Sequence, residues 1–152
     1  MTLRRRDALI AAAALACARP AAALAQQSAD DTFLERTIEL ELQLAEAYDG
    51  EDFEQAALFA EQCREHARGL GTALRNRGGR PPEEPGGFRG GPLALEREAV
   101  RTCHDAIGEV SDGRLLPTFA AVMANHGQHL VVLRQRMGRD PIPSAFETGA
   151  VQ

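Results

Sequence analysis

Residues 78–91 read GGRPPEEPGGFRGG, a stretch holding six Gly and three Pro in fourteen positions. Proline lacks the amide donor a helix needs, and glycine loses the most backbone entropy on ordering, so no helix survives here. The stretch therefore divides the chain into two helical halves. Upstream, apolar residues recur at helical spacing. Leu34, Ile38, Ala45 and Tyr48 share one face of a first helix that begins after Ser28-Ala29-Asp30-Asp31 and stops at Asp49-Gly50. A second helix spans about Asp52 to Arg77, with Phe53, Ala56, Ala60, Ala67, Leu70 and Leu74 as its stripe. Downstream, a third helix covers about Pro92 to Val110, its proline suited to the first turn. After the turn Ser111-Asp112-Gly113, a fourth runs from about Arg114 to Met137, carrying Leu115, Phe119, Val122, Leu130 and Leu133. No alternating strand pattern competes.

The links are short, long and short. Short links make antiparallel neighbours. The fourteen-residue link reaches about 45 Å when extended, and the second helix is about 40 Å long. The loop can thus run the length of a bundle. The expected fold is all-α: a four-helix bundle of two antiparallel hairpins joined by a crossover at 78–91, in up-down-down-up order.

The 152 residues suit one domain, 26–149, followed by a short tail at 150–152. Residues 1–25 read as a signal peptide: RRR at 4–6, the apolar run ALIAAAALA, then an A-x-A site with Ala23 and Ala25 before Gln26. Its apolar run is shorter than the ~20 residues a membrane span needs, so no transmembrane segment is expected in the mature chain. The arginines followed by Asp7-Ala8-Leu9 resemble a twin-arginine signal. The expected location is therefore outside the cytoplasm, in the periplasm, the envelope or the medium, with the twin-arginine machinery as an export partner. The alternative, a lipoprotein anchored at Cys17, fits poorly with Ala-Leu-Ala before that cysteine. Removing residues 1–25 takes four Arg and one Asp, so the net charge falls from −5 to −8. So acidic a domain lacks the basic face that nucleic acid requires; a homodimer is the protein partner kept open. Cys63 and Cys103 remain, compatible with a disulfide or with two buried thiols.

Polar residues interrupt each apolar stripe: Glu41 in the first helix, Cys63 and His66 in the second, Glu96 in the third, and the pair in NHGQHL, His126 and His129, in the fourth. Burying such groups is costly unless they are partnered. Carboxylates and imidazoles converging from four facing helices are what a transition-metal site uses. The halves also echo each other. Glu41 precedes Tyr48 by seven and Glu96 precedes Cys103 by seven, while Cys63-x-x-His66 answers His126-x-x-His129.

LELQLAEAY at 40–48 and FAEQCREHARGL at 59–70 in the first half resemble the ferritin-like superfamily, specifically the small exported bacterial ferritin-like domains. So do LEREAV at 95–100, NHGQHLVVLRQRMGRDP at 125–141 and IPSAFETG at 142–149. The resemblance covers about 30–149. It implies a four-helix bundle with a metal pair, usually iron, bound by carboxylates and histidines, in oxidation or storage chemistry. The family's E-x-x-H glutamates bridge the two metals. Here Cys63 and His126 hold those places, so both bridging carboxylates are absent. One ion of Fe, Zn or Cu is expected rather than a di-iron pair, with Glu41, His66, Glu96, His126 and His129 as ligands and Cys63 as an accessory one. Glu41 to His66 spans 25 residues, whereas Glu96 to His129 spans 33. If that shortening falls on one arm, Glu41 leaves the level of His66 and Glu35 becomes the better-placed carboxylate. His104, Glu65 and Glu98 read as solvent-facing, and Tyr48 as core. Two functions follow: a metal-binding bundle with an oxidoreductase or metal-handling role, or a metal-free structural or interaction module that kept the fold.

Overall fold

The computed structural model describes residues 29–86 and 90–143. The signal-peptide reading of 1–25, the lipobox reading of Cys17, and the tail from 144 onward lie outside them. Four helices carry the described chain, and no strand occurs among the described residues. They are α1 (29–49), α2 (Ala56–Asn76), α3 (Pro92–Glu109) and α4 (Leu116–Arg136). Together they form a four-helix bundle. No helix among the described residues is long and apolar enough to cross a membrane.

The helix ends follow local chemistry. α2 closes with Gly78 at φ +89°; the Gly78 amide donates to the Arg75 carbonyl (2.9 Å) and the Gly79 amide to the Leu74 carbonyl (3.0 Å). α4 closes in the same way. Gly138 sits at φ +65°, with bonds from Gly138 to Gln135 (3.0 Å) and from Arg139 to Arg134 (2.9 Å). This paired 5→2 and 6→1 pattern needs a left-handed residue after the helix, which glycine adopts without steric cost. Pro92 and Pro117 lie in the first turns of α3 and α4, where no amide is required. α2 starts later than its apolar pattern implies. Residues 53–55 form a separate turn, closed by the Ala56 amide on the Phe53 carbonyl (3.0 Å).

The core has two apolar halves. One gathers Leu34, Ile38, Leu70, Leu74, Cys103, Leu115 and Phe119. The other gathers Leu44, Tyr48, Phe59, Cys63, Leu95 and Leu133. At the far end of the first half, a polar knot joins three segments. Asp30, 1% exposed, accepts bonds from the Ser111 amide (2.8 Å), the Ser111 hydroxyl (3.0 Å) and the Asp112 amide (3.2 Å). The Arg77 guanidinium reaches Asp30 (3.2 Å), Asp31 (2.5 Å) and Asp112 (2.9 Å). The start of α1 is thereby fastened to the end of α2 and to the α3–α4 turn. The loop after α2 packs back on that helix: a Cβ on Gly71 would meet the Pro81 ring at 3.4 Å.

Candidate metal centre

Between the apolar halves, α1 contributes Glu41, α2 Cys63 and His66, α3 Glu96, and α4 His126 and His129. Five of the six are buried; His66, with its side chain 20% exposed, alone reaches toward solvent. Each side chain falls on its helix's core-facing stripe, so forming the apolar core draws all six together.

His126 is the centre of the arrangement. Its Nε2 donates to Glu41 Oε1 (2.8 Å) and its Nδ1 to Glu96 Oε2 (2.7 Å). With both nitrogens donating, the ring is an imidazolium. Burial disfavours that charge, but Glu41 and Glu96 outweigh it and raise the His126 pKa well above 6.5. The same balance acts on the carboxyls. Burial pushes both upward, yet His126 and His66 hold Glu41 below its ordinary value, and His126 and His129 do the same to Glu96.

Glu96 is fully engaged. Its Oε1 accepts from the Tyr48 hydroxyl (2.5 Å) and from His129 Nδ1 (2.8 Å), and its Oε2 from His126. Burial and the neighbouring Glu96 carboxylate keep the Tyr48 hydroxyl protonated. Glu41 differs. Its Oε1 faces His126 and also His66 Nδ1 (3.2 Å), whereas its Oε2 is buried with no hydrogen-bond partner. A carboxylate oxygen left so is costly unless a donor or a cation reaches it.

The donor atoms form two sets, Glu41–His66–His126 and Cys63–Glu96–His129, each with its atoms within 4.8 Å of one another. Two ligands of one tetrahedral ion stand roughly 3.3–3.8 Å apart, so modest side-chain rotations bring either set onto an ion. These buried carboxylate, imidazole and thiol groups could hold a metal ion.

Glu41 is level with His66 and His126, so the short spacing of 25 residues between Glu41 and His66 does not displace it. Glu35 is exposed and takes no part in the cluster. His104 and Glu65 are also exposed. Glu98 is half-buried in ion pairs with Arg36 and Arg101. The two thiols do not form a disulfide: Cys63 and Cys103 are both free and buried, packed in opposite halves of the core. Burial, with Glu41 and Glu96 beside Cys63 and Glu41 beside Cys103, pushes both thiol pKa values up.

Two participants escape a reading of the stripes. Gln62 Oε1 lies 2.8 Å from His129 Nε2, and Phe59 stacks on the His129 ring at 3.8 Å. Gln62 lies one turn before His66 at the stripe's edge, a position that reads as surface until α4 is placed opposite it. Tyr48 is core, as its spacing implies, but its hydroxyl also serves the site.

No protein-family model, curated protein or solved structure matches this chain.

Proposed function

We propose that the chain is an exported ferritin-like bundle that binds one transition-metal ion in its core and serves in metal handling or oxidation–reduction. The observation that carries this reading is Glu41 Oε2: a buried, unpartnered carboxylate oxygen beside two imidazoles. Charge favours one ion over two. Metal binding displaces the His126 proton, so the two buried carboxylates then carry −2, which a single divalent ion offsets; a second would leave the interior positive, and burying net charge is costly. Nitrogen-rich ligation suits iron, zinc or copper better than magnesium or calcium. The ferritin-like topology, two hairpins joined by a crossover, is supported by contacts along the bundle. Glu41 meets His66 across α1 and α2, Glu96 meets His126 and His129 across α3 and α4, and Asp30 at the start of α1 meets Ser111 after α3. Export rests on the order RRR, apolar run and A-x-A in residues 1–25.

A metal-free structural module is the second reading. It is favoured by the completeness of the His126 and Glu96 bonds, which leave only Glu41 Oε2 open in this network. Metal analysis of exported protein, purified without chelator or histidine tag, separates the two. One equivalent of a transition metal supports the first; metal-free protein with no micromolar affinity for Fe, Zn or Cu leaves the second. The mass of the same sample tests export, with a chain beginning at Gln26 expected.

A further inference from the structure

The two donor sets are related by the internal repeat. Each takes its carboxylate and one histidine from a single hairpin: Glu41 with His66, and Glu96 with His129. Each borrows its third ligand from the other hairpin: His126 for the first set, Cys63 for the second. The sets therefore differ in one ligand, imidazole against thiol. We propose that Cys63, Glu96 and His129 form the seat for a thiophilic ion, zinc or cuprous copper, so that a sulfur ligand, not a bridging carboxylate, decides which metal this core takes. This rests on the metal-binding reading above and names the ion class and its place; Glu41, whose open oxygen carries that reading, borders the seat beside Cys63.

Geometry prepares this corner more firmly than its counterpart. Cys63 is 0% exposed and packed among Tyr48, Phe59 and Leu95, so no solvent competes for the sulfur. His129 is held from two sides, by Gln62 at 2.8 Å on Nε2 and by Phe59 stacked at 3.8 Å. Its Nδ1 is thereby aimed at Glu96, which Tyr48 steadies in turn. Outer partners of this kind fix ring orientation and tautomer in metal sites. His66, in the other set, is partly exposed, and no ring is stacked on it with comparable closeness. Thiolate ligation selects zinc and cuprous copper, whereas the all-nitrogen-and-oxygen set has no such preference. Binding forms one metal–sulfur bond and releases the thiol proton to solvent; no electron transfer is involved.

Cobalt(II), a spectroscopic substitute for zinc, tests the assignment on the full exported chain. Wild type should bind one equivalent and develop a thiolate-to-cobalt charge-transfer band in the near ultraviolet, lost on adding zinc. Cys63→Ser and Cys63→Ala should both lose the band. Each should bind zinc more weakly by at least the roughly tenfold that loss of an outer partner alone costs. Cys103→Ser should keep the band. Cobalt bound to wild type without a sulfur band overturns the assignment and leaves the metal-binding reading standing. Disappearance of the band in Cys103→Ser but not in Cys63→Ala overturns it as well. No cobalt or zinc bound at micromolar concentration removes both proposals. The wild-type spectrum decides even where a variant folds poorly.

Discussion

His126 of α4 lies 2.8 Å from Glu41 of α1, 85 positions away in the chain, and both side chains are fully buried. The contact joins the first helix to the last through the middle of the core, and the second nitrogen of the same ring reaches Glu96 of α3. Leucine at 126 would remove the one imidazolium that bonds both carboxylates. Taking one partner from a buried ion pair costs about 3–5 kcal/mol, because the other charge is left uncompensated. His126→Leu should therefore destabilise metal-free protein at pH 7 by that order, read from urea unfolding. A leucine variant as stable as wild type would show that the His126 contacts contribute nothing to the fold.

The pH dependence of metal-free stability has a definite sign. His126 has a raised folded pKa, so its contribution is complete below about 6.5, its unfolded value, and fades as pH rises through the folded one. Glu41 and Glu96 have lowered folded values. Their contributions are complete above about 4.5 and fade as pH falls, for Glu96 toward about 2. Urea midpoints should form a plateau between pH 4.5 and 6.5 and decline on either side. Metal affinity should move oppositely on the alkaline side, rising with pH as protons cease to compete for the ligands. A metal-free midpoint that climbs steadily from pH 6.5 to 9 would contradict the imidazolium assignment.

Asp30 accepts the amides of Ser111 and Asp112 while pairing with Arg77. Asp30→Ala should free those two amides and leave Arg77 with fewer carboxylates. Hydrogen exchange should quicken at Ser111 and Asp112, with a Tm lower by several degrees and the α2 amides near His66 little changed. Unaltered exchange at both amides would show that the knot does not hold the α3–α4 turn.

Both thiols of the described chain are buried and unpaired. A thiol reagent should find neither in the native protein, and both Cys63 and Cys103 after denaturation without reductant. A mass two hydrogens lower, with no thiol released, would mean that the two are bridged.

His104 is exposed beside Asp105, away from the polar layer. His104→Ala should leave metal content unchanged, while His129→Ala should lower it. Equal losses in both variants would point to surface binding instead of the core cluster.

Much of this protein is local and so legible in its order of residues. Helix periodicity comes from which side chains avoid water, and Leu34, Ile38, Leu70 and Phe119 lie in the core as their spacing implies. Gly78 and Gly138 stop their helices through backbone freedom alone. That four stripes each carry a carboxylate, thiol or imidazole is likewise visible before folding. The level of Glu41 was not. Residue spacing gives the total length of a hairpin, whereas level depends on how that length is divided between its arms. Between Glu41 and His66, eight residues separate Glu41 from the end of α1 at 49, and ten separate Ala56 from His66. Between Glu96 and His129, thirteen lie on each side, from Glu96 to Glu109 and from Leu116 to His129. The shortening is shared by both arms, at 1.5 Å of rise per residue, so the carboxylate stays beside its histidines and Glu35 stays outside. Only the packed bundle decides that sharing, just as only it brings Gln62 to His129, separates the two thiols and leaves one oxygen of Glu41 without a partner.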